Sequence, residues 1–143
     1  MSRVINTDSP GKRRNQLMRT CAELIRHLSQ KQDIDAEARD MLALLVYCLR
    51  EIAAGIDESA RAWEKRDYWI KAEEFRQRWG WADRYATELD ALVRAEDWQR
   101  LPEMMIRLVP HFSDITINKF TRKATLWQGA YERLLSESSD STE

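Results

Sequence analysis

The chain has 143 residues, the size of one ordinary domain, and 43% of them are hydrophobic, enough to bury a core. It contains only 4 Gly and 3 Pro while 33% of its residues are charged. Sheet-rich folds need a turn every ~8–12 residues, so this composition disfavours them, and the net charge of −1 excludes the strongly basic balance common among nucleic-acid domains.

Residues 1–9 are polar and are expected to form a flexible N-terminus. Ser9 and Pro10 read as the N-cap and first residue of a helix over 10–30. Its apolar stripe is Leu17, Cys21, Leu24 and Leu28, flanked by Met18 and Ile25. Asp35 is placed to cap a second helix over 36–66, with Glu37 favourably set in its first turn. There the apolar seam runs Ala38, Leu42, Leu45, Leu49, Ile52, Ile56, Ser59, Trp63, in alternating steps of four and three. Such a heptad seam predicts one long amphipathic helix. Gly55 lies inside it and is expected to mark a kink or a close helix crossing.

Asp67 is the predicted joint. After it the four-three seam restarts as Tyr68, Ala72, Phe75, Trp79, Ala82, Ala86, Leu89 and Val93, with Trp69, Trp81, Tyr85 and Leu92 widening it on one side. This predicts a third helix over 68–95, folded back on the second as an αα-hairpin. Asp97 is the expected cap of a fourth helix over 98–111, with Leu101, Met105, Leu108 and Phe112 inward. Residues 113–120 read as an extended connector. A last helix over 122–135 would turn Leu126 or Trp127, Tyr131 and Leu134 inward. The fold class is therefore all-α, an antiparallel bundle with a long central hairpin, spanning 10–135 as one domain before a flexible acidic tail at 136–143.

Charge is unevenly distributed. Residues 1–31 carry seven basic side chains against two acidic ones, and 115–135 carry four against one. The middle of the chain is acidic. Lys12, Arg13 and Arg14 open the first helix, where cations oppose the helix dipole. Lys119, Arg122 and Lys123 open the last. These six are the candidate contacts to an anionic partner, so nucleic acid is the second functional reading, drawing on the basic segments 12–26 and 119–123.

Catalytic and metal patterns are missing from the sequence. Carboxylate-bridged metal bundles need Glu-x-x-His on two helices. This chain holds two His, of which His27 lies four residues after Glu23 on a face away from the apolar stripe and His111 follows Pro110. Cys21 and Cys48 fall on apolar stripes and are expected to be buried and inert. There is no nucleophile elbow, phosphate-binding Gly-rich loop or dinucleotide fingerprint. The chain is expected not to be an enzyme, with no cofactor and no metal. The longest apolar run, 41–49, is well short of the ~20 residues of a membrane span, so no membrane partner is expected and the cytoplasm is the default location.

Residues 63–85 hold four of the six Trp together with Lys65, Arg66, Lys71, Arg76, Arg78 and Arg84. Trp and Arg are the side chains most enriched at binding hot spots. Trp63, Phe75 and Trp79 fall on the seam, and the interleaved Glu64, Glu73, Glu74 and Asp83 also permit a solvated ladder. Trp69 and Trp81 lie off the seam centre. With Arg78 and Arg84 they are the candidate partner-binding residues, for another protein or a second copy of the chain, since a heptad seam also serves between chains. Over 63–82 the Trp-Glu-Lys-Arg start, the Tyr-Trp and the Trp-x-Trp-Ala resemble an uncharacterised family of small bacterial all-helical proteins. The resemblance implies a bacterial source and a free-standing domain, and transfers no catalytic residue.

Overall fold

The computed structural model describes residues 9–141, all of whose regular elements are helical. Helix α1 spans Pro10–Ser29, α2 Ala36–Lys65, α3 Trp69–Ala95, α4 Leu101–Leu108 and α5 Ala130–Ser141, with short 3-10 segments at Trp98–Arg100, Val109–Phe112 and Ala124–Leu126. The bundle is the expected one: an antiparallel α2/α3 hairpin flanked by N- and C-terminal helices. The expected loose start of the chain, Ser9 apart, and the last two residues of the expected tail lie outside the described residues. Among the described residues no helix is long and apolar enough to cross a membrane.

Local chemistry sets the first boundaries as the sequence predicts. The Ser9 hydroxyl accepts the Lys12 amide at 3.1 Å, and Asp35 Oδ1 accepts the Ala38 amide at 2.8 Å, each satisfying one of the orphan donors of a helix start. α2 ends in a six-to-one turn: the Tyr68 amide donates to the Trp63 carbonyl at 2.9 Å and the Asp67 amide to the Glu64 carbonyl at 3.0 Å. Asp67 takes the left-handed conformation this motif requires, φ 66°, and the chain reverses within three residues. The same motif closes α3, with Glu96 at φ 55° and the Asp97 amide on the Leu92 carbonyl.

α2 is the central element, packed against α1, α3 and α5. Its seam residues from Ala38 to Ile56 are buried, and so are Met41, Val46 and Cys48 on adjoining faces, as contact on three sides demands. Gly55 has a different role from the one expected. No atom would meet a Cβ added there, so the residue marks no close crossing, and α2 runs through it unbroken. On α3 the buried seam begins at Ala72, because Tyr68 lies outside the helix at the turn and is exposed.

The C-terminal third departs most from expectation. Asp97 makes no cap; its carboxylate faces Arg100 at 3.7 Å instead. Pro102 cannot donate to the helix ladder, and the chain winds as 3-10 helix before α4 begins at Leu101. The last helix starts at Ala130, not 122, because Gly129 adopts φ 81° and interrupts any helix before it. Its first donors are met from α2: Asp40 accepts the Gly129 amide at 3.2 Å and the Tyr131 amide at 3.0 Å. α5 also continues to Ser141, past the expected end at 135. Glu137 accepts from Tyr47 and from Arg50 at 3.0 Å, and Arg50 also reaches Asp90 at 3.0 Å, joining α5, α2 and α3.

Candidate interaction surface

Among the described residues, the Asp67 turn carries the one run of three consecutive exposed large hydrophobics. Tyr68, Trp69 and Ile70 are 51%, 59% and 77% exposed. Scattered exposed hydrophobics are ordinary on a protein surface, whereas a contiguous group is informative. Beneath it the hairpin end is well braced. Trp63 packs edge-on against Phe75 at 4.8 Å, the Lys71 ammonium lies 4.7 Å from the Trp63 ring centre, and the Arg66 guanidinium lies 5.6 Å from that of Tyr68. Arg76 of α3 reaches back to Glu64 and, at 3.3 Å, to Asp57 of α2. Trp63 and Phe75 are thus half-buried fillers, and Trp69 stands clear of them.

Trp81 corrects the sequence expectation. It is 7% exposed, stacked on His111 at 4.2 Å with 15° between the planes, and met edge-on by Phe112 at 5.6 Å. The physical reason is that α3 packs against a second neighbour, the α4 region. Trp81, Tyr85 and Leu92 form a second stripe turned toward that neighbour. Twelve residues of helix separate Trp69 from Trp81, about 18 Å of rise, so the two do not share a surface. Arg78 and Arg84 are both exposed. Burial first, and then the nearby charge of Arg84, hold the His111 imidazole below its ordinary pKa.

Arg78, Trp79, Trp81 and His111 line one wall of an open cleft of about 610 Å³. α1 supplies the other wall through Asn15, Met18 and Arg19, and Asp114, Ile115 and Thr116 complete the lining. At its margin the Arg14 guanidinium lies 5.2 Å from both the Phe75 and Trp79 ring centres. Burial and the neighbouring positive charge of Arg78 lower the pKa of Arg14.

The two basic segments meet. The Arg122 guanidinium donates to Thr20 Oγ1 at 2.9 Å and to the Gln16 carbonyl at 3.2 Å, which lays the connector along α1. Phe120 stacks on His27 at 4.9 Å. At the centre of this contact is Glu23, 0% exposed. It accepts the Thr121 amide at 2.6 Å, the Thr121 hydroxyl at 2.7 Å, the Arg122 amide at 3.2 Å and Arg19 Nε at 2.8 Å. Burial raises a carboxyl pKa, but these donors outweigh it and bring Glu23 down to about 2. Sequence reasoning placed this residue off the apolar stripe and missed it, because a buried carboxylate leaves no periodic trace.

The joined segments keep only part of their charge for a partner. Arg13 pairs with Glu51 of α2, Arg14 covers Phe75 and Trp79, and Arg122 is spent on α1. Arg13 and Arg14, two of the three cations that oppose the dipole of α1, therefore have structural work across the bundle. Lys12, Lys119 and Lys123 are exposed. Cys21 and Cys48 are buried free thiols on adjoining helices.

Compared with family models, with curated proteins and with solved structures, the chain gave no match.

Proposed function

We propose that the protein is a non-catalytic binding module whose hairpin end docks into an apolar socket on a partner protein. The observation that carries this reading is the exposed run Tyr68-Trp69-Ile70, held on a tight turn and braced by the Trp63–Phe75 pair. Lys65, Arg66 and Lys71 surround it, so an acidic rim on the socket fits. A cytoplasmic, bacterial setting goes with this reading, in line with the resemblance over 63–82.

Trp69→Ala is expected to weaken partner binding by about 2 kcal/mol, roughly thirtyfold, as loss of an aromatic anchor does. A photoreactive residue at position 70 identifies the partner by crosslinking in the native host, and titration calorimetry with that protein measures the loss. Sedimentation of the chain alone tests a second copy as the partner. Unchanged binding and sedimentation in Trp69→Ala would sink the reading.

A second reading, nucleic acid on the α1 face, is favoured by the meeting of segments 119–123 and α1. Its expected result is RNA or DNA binding that falls steeply with salt and is lost on neutralising Lys12, Lys119 and Lys123 together. No binding at low salt ends it.

A further inference from the structure

We infer that the cleft between α1 and α3 is a separate small-ligand site that takes a nucleotide, its phosphate held by Arg78 and Arg19 and its flat base lying against the apolar wall. Three observations converge. The first is charge. Arg19 of α1 and Arg78 of α3 line the cleft, with Arg14 beside Trp79 and close enough to Arg78 to feel its charge. Arg14 is held over Phe75 and Trp79 and Arg19 is paired with Glu23, so Arg78 is the cation whose counter-charge a bound oxyanion would supply.

The second is shape. About 610 Å³ lies within the ~300–1,000 Å³ range of small-molecule clefts. The third is chemistry of the walls. Half-buried Trp79 and Ile115 supply apolar surface, to which Trp81 and Met18 add only a small exposed edge (7% and 9%), while Asn15 and Thr116 supply polar groups. Arg19 gives its Nε to Glu23 at 2.8 Å, and among the described residues its two terminal nitrogens have no hydrogen-bond partner, which leaves them for a phosphate. Asp114 is the acidic residue of the lining and can accept from a sugar hydroxyl or a base amino group.

The experiment is a titration of the intact chain with adenosine monophosphate, followed through the six Trp indole N–H signals by NMR. The Trp79 and Trp81 signals are expected to move and that of Trp69 to stay. Adenosine and inorganic phosphate are each expected to bind at least about tenfold more weakly, since each supplies half of the contacts. Arg78→Ala, at an exposed position that leaves the fold intact, is expected to lower affinity about tenfold. A short single-stranded oligoadenylate distinguishes the source of the nucleotide. Affinity equal to that of the mononucleotide assigns the site to a free nucleotide, and tighter binding lost in Arg78→Ala assigns it to a strand. Three results would overturn the inference: no movement of the Trp79 and Trp81 signals, adenosine binding as tightly as its monophosphate, or Arg78→Ala binding unchanged. The hairpin-end reading is untouched by any of these, because Trp69 takes no part in the cleft.

Discussion

Glu23→Gln is expected to cost about 3 kcal/mol of folding stability, measured by urea unfolding at neutral pH. All its hydrogen-bonding neighbours are donors: the Thr121 amide and hydroxyl, the Arg122 amide and Arg19 Nε. Arg122 Nη1 adds a charge at 3.5 Å. A carboxylate is acceptor-only and satisfies them together. Glutamine presents one oxygen and one NH₂, so donors would face donors in a site closed to water, and two guanidinium groups would lose their counter-charge. The effect is expected to be local at first. Trypsin should cut the variant faster at Lys119, Arg122 and Lys123, the segment that Glu23 pins to α1.

The same residue gives a pH signature. Its carboxyl titrates near about 2 when folded, against an ordinary 4.5. A depressed folded pKa contributes stability that is fully present above the unfolded value and is lost as pH falls from about 4.5 toward about 2. A shift of this size corresponds to about 3 kcal/mol. Wild type should therefore lose stability over that window more steeply than Glu23→Gln. The two should converge at its acid end, and a constant difference down to that end would refute the assignment.

Trp81→Ala should cost about 3–5 kcal/mol, in the range for deleting a large buried aromatic, whereas Trp69→Ala should stay within about 0.5 kcal/mol of wild type. The contrast follows from 7% against 59% exposure. A second readout separates packing from global weakening. With Trp81 gone, the His111 ring loses the partner that buries it, so its depressed pKa should rise toward 6.5, visible by NMR titration. If Trp81→Ala is as benign as Trp69→Ala, the packing of α3 against the α4 region is wrong.

These two tryptophans also show where sequence reasoning reached its limit. Helix starts and stops depend on neighbours a few residues away, so the Ser9 and Asp35 caps and the Asp67 turn were legible. So was the four-three seam, because α2 and α3 bury one continuous stripe against each other. Trp81 sits on a second stripe with Tyr85 and Leu92, and that widening was visible as a pattern. Its meaning depended on what packs there, His111 and Phe112, some 30 positions along the chain. The start of α5 failed for a related reason: Gly129 and the distant Asp40 decide it. Glu23 was the least legible, since its donors are 98 and 99 positions away apart from Arg19. Of the four residues first singled out for partner binding, Trp69 is exposed at the hairpin end, Arg78 lies in the cleft, Arg84 is an exposed neighbour of His111, and Trp81 belongs to the core.

The six-to-one turn at Asp67 also bears on how fast and how tightly anything could bind. Trp69 is presented from the first turn of a helix, with the backbone before it held by two hydrogen bonds. No loop must find its shape on encounter, so the cost of ordering is confined to a few side-chain torsions, about 0.5–1.5 kcal/mol for each such group. A rigid knob of this kind associates at the rate set by diffusion and orientation, without waiting for a conformational step. Differences among partners would then appear as differences in residence time, governed by how well each socket holds the indole.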